Sequence, residues 1–124
     1  MGSIDNFDDQ YFTDILLNLN RFVPEFTTES EPDEQYLILF EFGEYFIAKQ
    51  SDSQLIKRTA EFVNEALEKG SSITQELIAL ELFQQLYCYP EILKKLRGNL
   101  SNSSKIVLDF YHMQYDKSFP EKKQ

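Results

Sequence analysis

Several residue types are scarce in this 124-residue sequence, which has no tryptophan, one cysteine, one histidine and four glycines. The single cysteine, Cys88, cannot form an intramolecular disulfide, and so low a cysteine content is typical of a reducing compartment. No apolar run approaches the roughly 18 residues that a membrane-spanning helix requires. The opening residues MGSIDNFDD also lack the basic and apolar regions of a secretory signal. We therefore expect a cytoplasmic protein that does not engage a membrane.

The same scarcity limits the catalytic chemistry that the chain can offer. Cys88 and His112 are the only thiol and the only imidazole, and neither lies in a recognisable catalytic motif. We expect Cys88 to be a small buried core residue and His112 to have a partly exposed structural role. Four scattered glycines form no phosphate-binding loop, and no ligand cluster indicates a metal or a cofactor. We therefore do not expect an enzyme, unless Cys88, His112 and a carboxylate meet in one pocket.

The negative charge of the chain is unevenly distributed. The net charge is −9, and residues 1–50 hold eleven acidic side chains against two basic ones, whereas residues 51–124 hold ten of each. Such a field repels the phosphates of nucleic acids and attracts cationic proteins. The distribution therefore favours a cationic protein partner and opposes nucleic-acid binding, although an acidic face that only aids solubility is the alternative.

Apolar residues recur at helical spacing along most of the chain, and no stretch alternates as a strand would. Pro24 should end the first helix, Pro32 should lie in the first turn of the second, and Gly70 and Gly98 should end two later ones. A capping box, Ser72 with Gln75, should open the fourth helix. We expect an all-α, single-domain bundle of five to six amphipathic helices with short loops. The helices are predicted at about 8–23, 31–49, 52–69, 72–88, 90–97 and 103–115, with a frayed tail at 117–124.

Acidic residues interrupt the most apolar stretch, TTESEPDEQYLILFEFGEYF, residues 27–46. On a helical wheel at about 100° per residue they form one narrow ridge on a helix that is otherwise apolar. Tyr36 and Tyr45 flank this ridge, and tyrosine beside carboxylate is suited to recognising Lys and Arg. Gly43, in the apolar arc, predicts a close approach by a neighbouring helix. The residues of the ridge are Asp33, Glu34, Glu41 and Glu44.

The ridge needs either water or cations, because burying four like charges would be strongly unfavourable. One source of cations is the chain itself, where Lys94, Lys95 and Arg97 form a compact basic group. Plain solvation and a cationic partner are the other possibilities, and the sequence leaves all three open. In the partner interpretation, the binding residues are Asp33, Glu34, Tyr36, Glu41, Glu44 and Tyr45.

The last helix is predicted to turn an apolar stripe toward the core. This stripe consists of Ile106, Val107, Phe110 and Met113.

Four segments between about Phe40 and Tyr111 carry a resemblance to a known family. They are FEFGEYFIAKQ, LIKRTAEFVNEALEKGSS, ITQELIALELFQQL and LSNSSKIVLDFY. Their order resembles that of small all-helical bacterial proteins that include immunity proteins of contact-dependent growth-inhibition and polymorphic toxin systems. The resemblance implies an all-α fold and neutralisation of a toxin, and it brings no catalytic residues.

Two hypotheses follow from these observations. The first is an immunity protein that binds a cognate cationic toxin domain, with a nuclease as the first candidate, because nucleases carry cations that grip phosphates. The second is a helical adaptor or scaffold that docks a partner's helix in an apolar groove. An exposed apolar patch with the acidic residues turned away would favour the adaptor. The oligomeric state is left open.

Overall fold

The computed structural model describes residues 9–118, and every regular element in that range is helical. The all-α prediction is therefore confirmed. The elements, in chain order, are α1 (Gln10–Thr13), α2 (Ile15–Phe22), α3 (Gln35–Ala48), α4 (Ser53–Lys69), α5 (Ser72–Leu77), a π-helical segment (Ile78–Phe83, the π segment), α6 (Gln84–Leu86), α7 (Pro90–Gly98) and α8 (Asn102–Ser118).

The core lies where the π segment packs against α3 and α8, and where α4 packs against α2 and α7. Burying one large apolar side chain stabilises a fold by about 1.5–3 kcal/mol, so the buried aromatics contribute strongly. The fully buried aromatic side chains are Phe42, Phe46, Phe62 and Phe83.

Helix α4 follows its sequence signals closely. Its N-cap is Asp52, whose carboxylate accepts hydrogen bonds from the backbone N–H groups of Gln54 and Leu55 at 3.1 and 3.0 Å. It ends at Gly70, as predicted. One side of α4 faces the core at helical spacing: Leu55, Ile56, Thr59, Phe62, Val63 and Ala66 are buried and Leu67 is partly buried.

The first predicted helix is divided at Asp14, which separates α1 from α2. Helix α2 ends at Phe22, and Val23 is its C-cap. This end, just before Pro24, is as expected, because a proline cannot continue a helix. Asp8, where this helix was predicted to begin, lies outside the described residues.

Helix α3 begins later than predicted. Pro32 and Asp33 lie in a turn in which the backbone N–H of Glu34 donates to the carbonyl oxygen of Glu31 at 2.9 Å. Glu34 is the N-cap residue, and the helix starts at Gln35. The helical placement of Asp33 on the ridge was therefore wrong, because this turn belongs to the connector between α2 and α3, residues 23–34.

The capping box predicted at Ser72 and Gln75 was also wrong. The N-cap is Ser71, and the carboxylate that serves this helix start belongs to Asp9, far away in sequence. Oδ2 of Asp9 accepts hydrogen bonds from the backbone N–H and the hydroxyl of Ser71, at 2.9 and 2.6 Å, and from the Thr74 hydroxyl at 2.7 Å. Burial alone would raise the pKa of Asp9, but these hydrogen bonds hold it below its ordinary value.

Helix α8 is rotated away from its predicted orientation. Ser104 and Leu108 are its buried residues, whereas three of the four predicted core residues are exposed. Two contacts hold this rotation: the Tyr87 hydroxyl donates to the carbonyl oxygen of Leu108 at 3.0 Å, and Arg97 binds Asp109. The exposed residues are Ile106, Phe110 and Met113, which we call the α8 stripe.

The C-terminal prediction was wrong in part. The frayed tail was predicted from Lys117, but Lys117 and Ser118 belong to α8. Residues 119–124 lie outside the described range, as do residues 1–8.

Candidate protein-binding surface

Exposed carboxylates follow one another along the connector and the outer side of α3. Within residues 9–118, none of them forms an ion pair. One hydrogen bond lies inside the set, from the backbone N–H of Glu31 to Oε1 of Glu34 at 2.8 Å. We call this set the acidic surface, and its members are Glu29, Glu31, Asp33, Glu34 and Glu44.

Glu41 lies beside the acidic surface but is held by hydroxyl groups. The hydroxyls of Thr28 and Ser30 both donate to its Oε1, the second at 3.1 Å. Glu41 therefore ties the connector to α3, which fixes the position of the neighbouring exposed carboxylates. The sequence pattern places Glu41 on the ridge but does not reveal these two partners, which precede it by 13 and 11 positions.

The basic group near residue 95 does not neutralise the acidic surface. Arg97 donates two hydrogen bonds to Asp109, from Nε at 3.0 Å and from Nη2 at 2.7 Å. The Arg97 guanidinium holds the pKa of the Asp109 carboxyl below its usual range. Lys94 and Lys95 are exposed and form no ion pair with any described residue. Internal pairing of the ridge with this group is therefore absent from the described part of the chain.

The two basic side chains of residues 1–50 are also engaged elsewhere. Arg21 binds the carboxylate of Glu65, and Nζ of Lys49 lies 5.3 Å from the centroid of the Tyr45 ring. Glu25, just after α2, is paired with a residue of α4. The Arg58 guanidinium donates to its two carboxylate oxygens at 3.0 and 2.7 Å. Neither Arg21 nor Lys49 therefore pairs with the acidic surface, whose carboxylates have no ion-pair partner among residues 9–118.

Tyr36 and Tyr45 lie on opposite edges of α3, as the wheel predicted. Tyr45 is partly buried, with its ring 5.4 Å from that of Phe26 between centroids. Tyr36 is 37 % exposed and meets the Phe12 ring edge-on at 6.1 Å. Burial and the nearby carboxylates of Glu76 and Glu81 raise the pKa of Tyr36, which places this tyrosine beside α5 and the π segment.

A groove that the sequence did not predict runs along the π segment, between α3 and α8. It consists of two depressions of about 360 and 230 Å³ that share Leu80, Gln84 and Tyr115. Phe40 forms part of its wall and is 41 % exposed. We call this feature the π groove. Its other lining residues are Ala79, Glu81, Gln85, Tyr87, Tyr111, Gln114 and Ser118.

The π segment is held against α3 by Gln85. Its Nε2 donates to the carbonyl oxygen of Phe40 at 3.0 Å and to that of Glu81 at 2.7 Å. Gly43 leaves the space that this amide occupies, since a Cβ at that position would lie 2.8 Å from Cδ of Gln85. The close approach predicted at Gly43 is confirmed, with a side-chain amide as the nearest group.

The residues considered for catalysis lie near the end of α6. Cys88 is exposed, so its predicted burial was wrong; it follows the helix in a turn, and its Sγ lies 3.5 Å from the Tyr115 hydroxyl. His112 is partly exposed and stacks on Tyr87 at 4.2 Å between ring centroids. Neither Cys88 nor His112 lines the π groove.

Two features are absent from the described part of the chain. Among residues 9–118, no three His, Cys, Asp or Glu side chains are grouped so as to hold a metal ion. None of the helices in that range has the length and apolar character needed to pass through a bilayer.

One family model matches the chain, over residues 15–115, and its description is a domain of unknown function, DUF7674. The chain belongs to the DUF7674 family. No curated protein and no solved structure matches it. The DUF7674 match includes the acidic surface, the α8 stripe and every lining residue of the π groove except Ser118, whereas Asp9 precedes it. The family description assigns no function, so the resemblance to immunity proteins stays a prediction.

Proposed function

We propose that this DUF7674 protein acts by binding, without catalysis, and that its acidic surface captures a cationic partner protein. The observation that carries the proposal is the contrast between two sets of carboxylates. Asp9, Glu25, Glu65 and Asp109 each have hydrogen-bond donors or a guanidinium within the chain. The five carboxylates of the acidic surface have no cation within the described residues, and they are exposed together.

The partner is expected to supply Lys and Arg side chains. Exposed carboxylates keep their hydration in the free protein, so the uncomplexed state is tolerated. Opposite charges on two proteins accelerate association and select the partner, and salt weakens both effects. Glu34 and Glu44, near the two ends of α3, would then mark the length of the contact.

At the finer level, we infer that the chain is a cytoplasmic immunity protein and that the partner is its cognate toxin domain. The resemblance of residues 40–111 to immunity proteins supports this inference. A nuclease is the first candidate, because an acidic surface can occupy a groove that grips phosphates. Such an interface would bury about 1,200–2,000 Å² in total. Nucleic acid itself is not a proposed ligand, since the acidic surface would repel it.

The proposal is tested by capturing the partner from the native organism with three forms of the chain. They are the wild type, a Glu34→Lys/Glu44→Lys variant, and a control, Glu61→Lys/Glu68→Lys, whose exposed positions lie on α4. Both variants change the net charge equally. We expect the wild type and the control to retain a basic protein that is released by salt, and the α3 variant to lose it.

Toxin neutralisation is tested by expressing the captured protein in a host cell. The wild-type chain and the α4 control should restore growth, and the α3 variant should not. Equal capture and equal protection by all three forms would overturn the acidic-surface proposal. A captured protein that does not impair growth would overturn the immunity inference.

A second candidate function is an adaptor, and the α8 stripe favours it. Ile106, Phe110 and Met113 are 69 %, 52 % and 53 % exposed at i, i+4, i+7 spacing. The acidic residue next to Phe110, Asp109, is already bound by Arg97. An adaptor would use an exposed apolar patch of this kind. If Phe110→Asp abolishes partner capture and the α3 variant leaves it intact, the adaptor replaces the first proposal.

A further inference from the structure

We propose that the π groove receives an amphipathic helix of the cationic partner, with an apolar side chain between Phe40 and Leu80 and basic side chains facing Glu81 and Glu44. This inference rests on the proposed function, because it describes how the same partner would be held. It adds an apolar anchor to a contact that the acidic surface alone would leave purely electrostatic.

The apolar part of the groove comes from two exposed side chains on different elements. Phe40 on α3 is 41 % exposed, and Leu80 on the π segment is 42 % exposed. Leu37, one turn before Phe40 on α3, is also exposed, at 45 %. Aromatic and aliphatic side chains that line a concave surface are the usual receptors for the apolar face of a partner helix.

The one charged residue among those that line the two depressions is acidic. Glu81 lines it, Glu44 lies one turn beyond Phe40 on the exposed side of α3, and Glu76 is near Tyr36. None of the residues that line the two depressions is Lys, Arg or His. A helix with basic residues beside its apolar face complements such a groove, whereas an acidic helix would be repelled.

Glu81 is the residue of the groove that most specifically favours a basic occupant. It is partly buried, forms no ion pair within the described residues, and burial raises the pKa of its carboxyl. A partly desolvated carboxylate without a cation is unfavourable in the free protein. A partner Lys or Arg at this position would remove that cost, so Glu81 should favour basic over neutral occupants.

The groove is shaped before any partner arrives. The two hydrogen bonds donated by Gln85 hold the carbonyl oxygens of Phe40 and Glu81 on either side of the same amide. A π segment inside an α-helix is frequent at functional sites. A receptor that is already ordered loses less conformational entropy on binding, which strengthens the complex.

The inference is tested with a labelled synthetic helical peptide that has Leu on one face and Lys on the other. A control peptide has Glu in place of every Lys. Affinities are measured by fluorescence anisotropy for the full chain, and the contact site is mapped by NMR amide shifts. We expect the Lys peptide to bind with shifts at Phe40 and Leu80, and the Glu peptide to bind at least about tenfold more weakly.

Three variants identify the groove. Leu80→Asp should lower the affinity for the Lys peptide by about tenfold or more. Glu81→Gln keeps the shape of the side chain and should lower that affinity several-fold. It serves as a second variant if Leu80→Asp perturbs the fold. The control Glu61→Lys, on α4, should leave the affinity nearly unchanged.

The outcomes separate this inference from the proposed function. If Leu80→Asp and Glu81→Gln bind the Lys peptide as the wild type does, the groove inference is overturned. If in that case Glu34→Lys/Glu44→Lys still abolishes capture of the native partner, the acidic-surface proposal stands alone. If the groove variants weaken binding of the Lys peptide but Glu34→Lys/Glu44→Lys captures the native partner normally, the groove formed by Phe40, Leu80 and Glu81 is supported. The contact to Glu44 and the acidic-surface proposal are then both overturned.

Discussion

The side-chain amide of Gln85 occupies the space beside Gly43 that any other residue would fill with its Cβ atom. From there it bridges the carbonyl oxygens of Phe40 and Glu81. This relationship couples α3 to the π segment, and the two elements form the wall and the floor of the π groove. It also explains why a glycine stands inside a helix that is apolar on most of its sides.

Gly43→Ala should therefore change the free energy of unfolding differently in two backgrounds. In the wild type, the gain in helix propensity of about 1 kcal/mol is offset because the Gln85 amide must move and lose hydrogen bonds. In a Gln85→Ala background, the same substitution should stabilise the fold by about 1 kcal/mol. Urea unfolding of the four forms gives the coupling energy. Equal effects of Gly43→Ala in both backgrounds would contradict the bridging role of Gln85.

Asp9→Asn should destabilise the fold, because a single oxygen of Asp9 accepts three hydrogen bonds at the start of α5. The other oxygen, Oδ1, accepts from the backbone N–H of Phe12 at 3.0 Å, and asparagine has only one oxygen for both positions. One set of bonds must therefore be lost, so we expect a loss of about 1–3 kcal/mol in the free energy of unfolding at pH 7. Asp14→Asn is the matched control. Its carboxylate accepts one exposed hydrogen bond from Gln10, and its effect should stay within about 0.5 kcal/mol.

The contribution of Asp9 should also disappear in acid. The folded-state pKa of Asp9 lies below its ordinary value of 3.8, so its stabilising effect is complete above that value. The effect is lost as the pH falls through the lower, folded-state pKa. The difference in unfolding free energy between the wild type and Asp9→Asn should be constant above about pH 5 and shrink below about pH 4. A difference that does not change with pH would contradict this assignment.

Thr59→Val should stabilise the protein. The Thr59 side chain is fully buried on α4, and its hydroxyl has no hydrogen-bond partner among the described residues. Valine keeps the shape of the side chain and removes the unsatisfied group, so a gain of about 1 kcal/mol is expected from urea unfolding. Thr59→Ser, which keeps the hydroxyl and removes a methyl group, should destabilise instead. If Thr59→Val is also destabilising, the hydroxyl has a role that this account lacks.

Glu81→Gln should raise stability while it weakens peptide binding. Burial raises the folded-state pKa of Glu81, so the charged form is a cost that grows as the pH rises above the ordinary value of 4.5. At pH 7 the variant should gain less than about 1 kcal/mol, since water still screens part of the side chain. Near pH 4 the two proteins should be equally stable. A substitution that raises stability and lowers binding affinity is typical of a functional residue.

The sequence predicted best those helices whose signals are local. Asp52 and Gly70 delimit α4 through contacts with residues close in the chain, and its stripe repeats regularly enough to identify the buried face. The start of α5 was missed because its carboxylate comes from Asp9, which is distant in sequence. The rotation of α8 was missed because Tyr87 and Arg97, on other elements, hold it in place.

On the candidate surface, too, the sequence predicted the features that depend on local periodicity and missed those that depend on distant residues. The wheel found the exposed side of α3 with Glu44 and the two flanking tyrosines, because helical periodicity determines those positions. It could not find the hydroxyl partners of Glu41, which lie in an irregular connector. The π groove left no signal either, since the apolar pattern of ITQELIALELFQQL is equally compatible with an uninterrupted α-helix.

The central claim is that uncompensated carboxylates on α3 and its connector bind a cationic protein. Its most direct test is the affinity of the captured partner for the wild type and for Glu34→Lys/Glu44→Lys, measured by calorimetry from low to high salt. We predict a loss of about tenfold or more at low salt that narrows as salt screens the charges. Equal affinities of the two proteins at every salt concentration would contradict the account.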